Sequence, residues 1–221
     1  MQNKKIIQRI KECRIQLSNI CNLSTRHLAC PASKEEKEQY LPLKNIMNCI
    51  IQLRQLDYKG DLGFHIYNEP LLDPRLLYIL DFTRHVLLNK IIIWSNKTLY
   101  TDELGEEIKK FGNIHFVFSD YLLPHHLDNR LTIYRDSAHP IINKRCLQPY
   151  YQLNINYNGD VVLCCYDWKW TKTYGNIKRQ KLEDILISEK MNCDYRNLKQ
   201  GELFKFCTNC TVNFGDNNAA L

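Results

Sequence analysis

The sequence predicts an α/β protein in which strands and helices alternate and a β-hairpin with clustered cysteines follows. In the first half, apolar β-branched runs are separated by helical patterns, at intervals that suit right-handed parallel crossovers. In the second half, Asn158-Gly159 lies between two apolar, β-branched runs, which is the strongest short signal for a hairpin. Near the end, Cys207 and Cys210 form a C-x-x-C pair that can aim two sulfurs at one metal ion or cluster.

Composition narrows the class of protein. A chain of 221 residues forms one domain or two, and 10 of its residues are cysteines. The start of the chain lacks the apolar region of a signal peptide, and no apolar run is long enough to span a membrane. We therefore expect a cytoplasmic protein with reduced thiols, whose cysteines bind a metal or an iron–sulfur cluster rather than forming disulfides.

The charge of the chain does not favour a nucleic acid or a membrane as a partner. The net charge is +6, and lysines and arginines are spread along the sequence. A local basic group near the start is interpreted as the solvated face of an N-terminal helix; it comprises Lys4, Lys5, Arg9, Lys11 and Arg14.

Each element of the first half has a local signal. Alternating or β-branched apolar residues predict the strands, and capping residues predict where helices begin. Ser33 and Glu36 form a capping box, Asp73 precedes a proline at a helix start, and Thr101 caps a helix that closes at Gly112. The predicted strands are residues 13–18, 63–67, 90–96, 114–119 and 131–134.

The second half has a hairpin, a short amphipathic helix and the C-x-x-C pair. Its pattern is Cys146-x12-Gly159-x4-Cys164, then Gly175-Asn176-Ile177, then Cys207-x2-Cys210. This pattern resembles the auxiliary-cluster domain of radical SAM enzymes, called SPASM in its full form and twitch in its shortened form. No cysteine follows Cys210, so the chain resembles the shortened form. The resemblance implies one auxiliary [4Fe–4S] cluster held by Cys146, Cys164, Cys207 and Cys210.

The loop after the first strand resembles the site at which radical SAM enzymes hold their SAM-binding [4Fe–4S] cluster. That family carries C-x3-C-x2-C, with Asn after the first cysteine and Pro after the third. Here Cys21-Asn22 matches the beginning and Cys30-Pro31 the end, but eight residues separate the two cysteines and none of them is a cysteine. His27 keeps the spacing of the second ligand to the third and is our candidate for the missing ligand. The alternatives are that His27 is a polar loop residue, that Cys13 supplies the third thiolate from the strand, or that no SAM-binding cluster forms.

Two further segments resemble the sites that bind S-adenosyl-L-methionine in this family. Asn68-Glu69-Pro70 resembles the end of the family's Gly-Gly-Glu-Pro segment, whose glutamate receives the amino group of SAM. Ser95-Asn96-Lys97 resembles the Thr-Asn-Gly that ends the family's third strand. The resemblance thus makes Asn68, Glu69, Ser95 and Asn96 the expected cofactor-binding residues. A capping role for Glu69 is the alternative, which we rank lower because the residue follows an apolar strand directly.

The resemblance also implies the architecture. About 26 residues lie between Asp120 and Cys146, too few for two further strand–helix units, so we expect a trimmed partial (β/α) barrel of the radical SAM type. A small auxiliary-cluster domain of hairpin plus helix would follow it. The predicted domains are residues 1–140 and 141–221.

The implied function is that of a radical SAM enzyme. Such an enzyme reductively cleaves SAM and abstracts hydrogen from a sugar-like or peptide substrate, for oxidation, epimerisation or bond formation. An external reductant such as flavodoxin or ferredoxin would supply the electron. Cys165 points away from Cys164 if both lie in a strand, so it is either a core residue or a catalytic thiol that donates a hydrogen atom. The alternatives are a degenerate scaffold with only the auxiliary cluster and a zinc-binding structural module.

Overall fold

The computed structural model describes residues 2–23, 37–119, 132–134, 146–165, 167 and 169–209. For residues 2–5, 119, 132–134, 208 and 209 it describes the backbone alone. The helices of these parts are α1 (Gln2–Arg9), α2 (Leu43–Gln55), α3 (Leu76–Val86), α4 (Asp102–Lys109), α5 (Gln148–Tyr151), α6 (Leu182–Leu186) and α7 (Glu189–Gln200). The strands are β1 (Glu12–Ile15), β2 (Asp61–Gly63), β3 (Ile91–Ser95), β4 (Ile114–Ser119), β5 (Thr132–Tyr134), β6 (Gln152–Ile155), β7 (Asp160–Val162) and β8 (Thr173–Asn176).

The strands form one sheet with the order β5-β4-β3-β2-β1-β6-β7-β8. Strands β1 to β5 pair in parallel, as the alternation of strands and helices predicts. The first strand of the predicted hairpin, β6, also pairs in parallel, along the free edge of β1. The hairpin therefore continues the sheet of the N-terminal part, with β7 and β8 added antiparallel.

The two faces of the sheet differ in character, and β1 shows the difference best. Cys13 and Ile15 are fully buried on the face that the helices cover, where burial, with the nearby Cys49 thiol of α2, raises the pKa of Cys13. Glu12 and Arg14 alternate with them and lie on the opposite face. We call that opposite face the inner face of the sheet.

The helix cap at Thr101 follows its sequence signal, whereas the cap predicted at Asp73 does not form, because α3 begins at Leu76 with Arg75 as its N-cap. The hydroxyl of Thr101 accepts a hydrogen bond from the amide of Leu104 at 3.2 Å, which starts α4. Asp73 accepts one from the amide of Arg75 at 2.9 Å just before α3. The predicted capping box at Ser33 and Glu36 lies outside the described residues.

The second strand lies earlier than predicted, at Asp61–Gly63 instead of residues 63–67. The backbone leaves the ladder because the side chain of Asn68 accepts a hydrogen bond from the amide of Ile66 at 3.1 Å. A side-chain acceptor competes there with the neighbouring strand for the same backbone donor. The apolar run Phe64-His65-Ile66 is therefore a turn that carries its side chains past the strand end.

The hairpin forms at Asn158-Gly159 with a longer loop than a two-residue turn. The carbonyl of Asn156 accepts from the amide of Gly159 at 2.8 Å, and the carbonyl of Asp160 accepts from the amide of Asn156 at 3.0 Å. Of Asn158 and Gly159, only Gly159 has a positive φ, of 82°. Only one residue of the Asn-Gly pair therefore uses the left-handed region for which the motif is favoured.

The C-terminal helices cover the edge of the sheet. α6 packs against α1, α2 and β8, and its first amide, that of Leu182, donates to the side chain of Gln52 in α2 at 2.7 Å. α7 begins at the cap Ser188 and ends at Gly201, whose φ is 98°. Within the part of the chain that the structure describes, no helix is long and apolar enough to cross a membrane.

Candidate active site

The carboxyl ends of three neighbouring parallel strands meet at one edge of the sheet, and hydrogen bonds join them. The carbonyl of Ile20, next to Cys21, accepts from the amide of Glu69 at 2.8 Å. The carboxylate of Glu69 accepts from the amide of Asn96 at 2.7 Å. The side-chain amide of Asn96 donates to Asn22 at 2.8 Å, and its nitrogen lies 3.8 Å from the Cys21 sulfur. The segments after β1, β2 and β3 thus form one site.

Glu69 is the central acceptor of this site and is only 1% exposed. One carboxylate oxygen accepts from the amide of Asn96, and the other from the amide of Leu71 at 3.1 Å. Burial raises the pKa of Glu69, and the two backbone hydrogen bonds and one from Ser95 partly offset this. Glu69 therefore caps the 3-10 turn Pro70–Leu72, the role we ranked lower, and at the same time ties β2 to β3.

The other predicted cofactor-binding residues shape the backbone around Glu69. Asn68 holds the turn through the amide of Ile66, and the hydroxyl of Ser95 accepts from the amide of Lys97 at 3.0 Å. The side-chain oxygen of Asn96 accepts from the amide of Thr98, also at 3.0 Å. Lys97, which stands where the family pattern has glycine, has a φ of 66°. The structure thus explains the family's glycine, since this position needs the left-handed region.

Of the predicted ligands of the N-terminal cluster, Cys21 alone lies in the described residues; His27 and Cys30 lie outside them. Cys21 is partly buried, and its sulfur accepts a hydrogen bond from the amide of Leu23 at 3.4 Å. Burial raises the pKa of its thiol, although that hydrogen bond lowers it. Cys13 cannot supply the third thiolate, because it is fully buried beside Cys49 on the helix-covered face.

Three of the four predicted ligands of the auxiliary cluster are described, and they lie near the C-terminal part of α7. The amide of Cys146 donates to the carbonyl of Leu198 at 3.1 Å. Burial and, to a smaller extent, the nearby Cys164 raise the pKa of Tyr195 in the same helix. Cys207 follows α7 in a 3-10 turn, and Cys210 lies outside the described residues. Among described side chains, no group of three or more His, Cys, Asp or Glu is arranged to hold a metal ion.

The inner face of the sheet carries a polar cluster between these two groups of cysteines. Glu12 forms an ion pair with Arg14 at 2.8 Å and accepts from the side chain of Gln152 in β6 at 2.8 Å. A guanidinium nitrogen of Arg14 lies 3.6 Å from the sulfur of Cys165, whose thiol in turn lies 3.6 Å from Gln152. Cys165 therefore faces the polar inner face. The Cys164 thiol and the Arg14 charge lower the pKa of Cys165, and burial opposes them.

His65 and Trp94 extend this cluster toward the strand ends. Their rings are 5.4 Å apart, and a His65 nitrogen lies 3.7 Å from a carboxylate oxygen of Glu12. Gly63 makes room for the imidazole, because a Cβ at that position would lie 2.5 Å from its Cε1 carbon. The pKa of His65 is well below its usual range, since burial and the nearby Arg14 both disfavour the charged form.

Comparisons with known proteins agree with this geometry. Residues 146–211 match the SPASM family, described as an iron–sulfur cluster-binding domain. A curated relative from Niallia circulans, an S-adenosyl-L-methionine-dependent 2-deoxy-scyllo-inosamine dehydrogenase, is 22% identical over 89% of this chain and 90% of its own. The structure of BtrN in complex with AdoMet and 2-DOIA is similar with a TM-score of 0.79, at 21% identity over 92% of this chain and 93% of BtrN.

The chain has the fold of a radical SAM enzyme with a SPASM-type domain. Two further radical SAM structures share it at lower similarity. SuiB from Streptococcus suis, solved with S-adenosylmethionine, has a TM-score of 0.62 at 12% identity and covers 95% of this chain and 74% of its own. The enzyme anSMEcpe with bound AdoMet has a TM-score of 0.55 at 9% identity, over 90% of this chain and 88% of its own.

The family resemblance and the α/β partial-barrel fold class predicted from the sequence are thus confirmed. The structure brings Cys21, Glu69 and Asn96 together as the radical SAM resemblance implies, while the assignment of individual ligands stays a prediction.

Sequence reasoning missed the polar inner face. We interpreted Arg14 as part of a solvated helix face, but it lies in β1 and contacts Glu12 and Cys165. The alternation of Glu12, Arg14 and Gln16 with apolar residues is a signal for a strand with one polar face. It does not reveal whether that face meets water or the interior.

Proposed function

We propose that this protein is a radical SAM enzyme that oxidises a hydroxyl-bearing carbon of a sugar-like substrate of the aminocyclitol type. The observation that carries the proposal is the joining of Cys21, Glu69 and Asn96 at three adjacent strand ends, next to a polar inner face that leads to Cys164 and Cys165. The relative that acts on 2-deoxy-scyllo-inosamine supports the choice of substrate class.

The residues that would hold the clusters suit iron–sulfur chemistry. The four thiols Cys146, Cys164, Cys207 and Cys210 form a soft donor set of the kind that iron–sulfur clusters take. Cys21, His27 and Cys30 would hold the SAM-binding cluster. When bound, the two clusters and SAM supply the one-electron chemistry, with hydrogen abstraction from a substrate C–H bond.

Glu69 and its neighbours would orient SAM. Each carboxylate oxygen of Glu69 accepts one backbone hydrogen bond and keeps further lone-pair capacity, so the buried carboxylate can also accept from an ammonium group. Pairing with that cation would offset the burial that raises the pKa of Glu69. Asn68 and Ser95 fix the two turns that hold Glu69 in place.

The inner face would hold the substrate between the SAM site and the auxiliary cluster. Arg14 lies between these two sites. Its guanidinium is 5.7 Å from the Trp94 ring on one side, and one of its nitrogens is 3.6 Å from the Cys165 sulfur on the other. Cys165 is close enough to a substrate at this place to donate a hydrogen atom, which is its proposed catalytic role if the outcome is epimerisation. Reduction of the enzyme would need an external one-electron donor such as flavodoxin or ferredoxin.

A degenerate scaffold is the second candidate, and the absence of a cysteine between Cys21 and Cys30 favours it. Such a protein would keep the auxiliary cluster in the proposed C-terminal domain, residues 141–221, without SAM cleavage.

The test is the formation of 5′-deoxyadenosine and methionine by anaerobically purified protein with SAM and a chemical reductant. We expect both products from the wild type and neither from Cys21→Ala. Cys193→Ala is the matched control, because Cys193 lies in α7 outside the proposed ligand sets. A wild type that holds iron but forms no 5′-deoxyadenosine would establish the scaffold instead.

A further inference from the structure

Several buried polar atoms of the inner face make no hydrogen bond within the part of the chain that the structure describes. They are Glu12 Oε1, Gln16 Oε1, both ring nitrogens of His65, and both side-chain polar atoms of Asn154. Leaving such an atom without a partner is unfavourable, because it has given up its hydrogen bonds to water. Native proteins keep few of these atoms, and a group of them in one place calls for partners from outside the chain, such as waters or a bound ligand.

These atoms lie on one surface. Glu12 and Gln16 alternate along β1 and its continuation, since the amide of Gln16 still bonds the carbonyl of Ile155 in β6 at 2.8 Å. Asn154 in β6 is the register partner of Arg14, and Gly63, which makes room for His65, is the partner of Arg14 on the other side. The four unsatisfied side chains therefore surround Arg14 on the inner face.

The chemistry of this surface suits a ring that carries several hydroxyl groups. One oxygen of Glu12 is paired with Arg14, which leaves the other oxygen as an acceptor beside the neutral oxygen of Gln16 and the Asn154 amide, which both donates and accepts. Trp94 adds an aromatic face against which the C–H bonds of a ring can pack. A His65 nitrogen and a Glu12 oxygen face each other at 3.7 Å. Two hydroxyl groups on adjacent ring carbons could therefore bind together here, one to the nitrogen and the other to the oxygen.

We propose that a cyclic polyol or aminocyclitol binds this surface and that His65 accepts the hydroxyl proton that the substrate loses when its carbon is oxidised. This inference rests on the proposed function and adds a catalytic residue to it. The acceptor is the His65 nitrogen that faces Glu12, because the Nδ1 side of the ring lies against Gly63.

The step balances with the one-electron chemistry of the proposed function. After hydrogen abstraction, the substrate carbon is a radical that still bears its O–H group. Conversion to a ketone would break the O–H bond, transfer its proton to His65 and turn the C–O bond into C=O, and the one electron released would be taken up by the iron–sulfur cluster that Cys146, Cys164, Cys207 and Cys210 would hold. The imidazole is neutral before this step because burial and the nearby Arg14 lower the pKa of His65, and the Glu12 carboxylate oxygen 3.7 Å away is placed to pair with the imidazolium that forms.

The experiment follows two products of one turnover. Reconstituted holoenzyme is given SAM, a reductant and 2-deoxy-scyllo-inosamine deuterated at the oxidised carbon, and both ketone and deuterated 5′-deoxyadenosine are measured. We expect equal amounts of the two from the wild type. For His65→Gln we expect deuterated 5′-deoxyadenosine at a similar rate but at least tenfold less ketone, while calorimetry shows the probe still bound. His85→Gln, on the exposed side of α3, is the matched control.

A second variant keeps the test decisive if His65→Gln loses iron or fails to fold. Gly63→Ala leaves the imidazole in the protein but displaces it, and it should lower the ratio of ketone to 5′-deoxyadenosine in the same direction. An unchanged ratio in either folded variant would overturn the role of His65. A wild type that cleaves SAM but makes no ketone would overturn the substrate class and leave SAM cleavage standing. A wild type that cleaves no SAM would overturn the proposed function itself.

Discussion

His65 is a fully buried histidine whose charge the surrounding residues disfavour, and this has a consequence for stability. Burial and Arg14 lower its pKa in the folded protein, whereas the unfolded chain binds a proton with a pKa of about 6.5. Below that pH the unfolded state binds more protons than the folded state, so folding becomes less favourable as the pH falls.

We therefore predict that His65→Gln reduces the loss of unfolding free energy at acidic pH. Between pH 7.5 and pH 5.5 the wild type should lose about 1 kcal/mol of unfolding free energy more than the variant. Denaturant titrations of both proteins at the two pH values measure this difference. Equal losses would mean that the folded protein accommodates a charged His65, contrary to its burial beside Arg14.

The backbone conformation of Lys97 leads to a second prediction about stability. Its φ of 66° is in the left-handed region, in which a Cβ is unfavourable. Lys97→Gly and Lys97→Ala both remove the contact of the ammonium group with the Phe118 ring, 5.4 Å away, but only the first removes the Cβ. The glycine variant should be more stable than the alanine variant by about 1 kcal/mol, as thermal unfolding can measure. The reverse order would show that this backbone strain is absent in solution.

The group of residues at the strand ends could be predicted from the residue types in the loops after the strands. Cys21, Glu69 and Asn96 could be picked out because each follows a recognisable strand in a family-like segment. His65 and Asn154 could not, since nothing in a sequence says that a buried polar side chain will lack a partner. That property depends on the pairing of β1 with β6, residues about 140 positions apart in the chain.

At the scale of elements, the hairpin and α6 are held together by a close approach at Gly175. A Cβ there would lie 2.8 Å from Cγ1 of Ile185 in α6 and 2.6 Å from the side-chain oxygen of Gln180. That oxygen also accepts a hydrogen bond from the amide of Asn176, at 3.0 Å. The Gly-Asn-Ile segment therefore serves as a docking surface for the helix that follows it.

We predict that Gly175→Ala destabilises the protein by about 1–3 kcal/mol, because α6 must move off β8. Ile185→Ala removes the side chain that the new methyl group meets, so the double variant should lose less stability than the sum of the two single variants. Chemical denaturation of the wild type, the two single variants and the double variant measures the four unfolding free energies of this double-mutant cycle. Strict additivity would mean that Gly175 and Ile185 do not meet.

The elements themselves were the most predictable part of the fold. Strands β3 and β4 and the helix cap at Thr101 follow from local sequence, because periodicity and a local hydrogen bond decide them. The position of β2 was wrong by several residues. There the side chain of Asn68 ends the ladder early, and an apolar run alone does not show this.

At the scale of the whole molecule, the parallel pairing of β6 with β1 puts the two halves of the chain into one sheet. Sequence patterns predict a barrel-like half and a cysteine-rich half. They do not predict that β6 pairs with the edge of β1, because the two strands are far apart in the chain. One consequence concerns the proposed function: the polar inner face continues from the proposed SAM site at Glu69 and Asn96 to Cys165, next to Cys164. The two clusters, in the positions that we propose, would lie on either side of the substrate.

The measurement that tests this arrangement most directly is the iron and acid-labile sulfide content of anaerobically purified, reconstituted protein. We predict about eight irons per chain in the wild type and about four in Cys21→Ala/Cys30→Ala and in Cys164→Ala/Cys207→Ala, because each pair serves one [4Fe–4S] cluster. His27→Ala would then report whether histidine completes the first cluster. About four irons in the wild type, unchanged in Cys21→Ala/Cys30→Ala, or zinc in place of iron, would contradict the two-cluster enzyme.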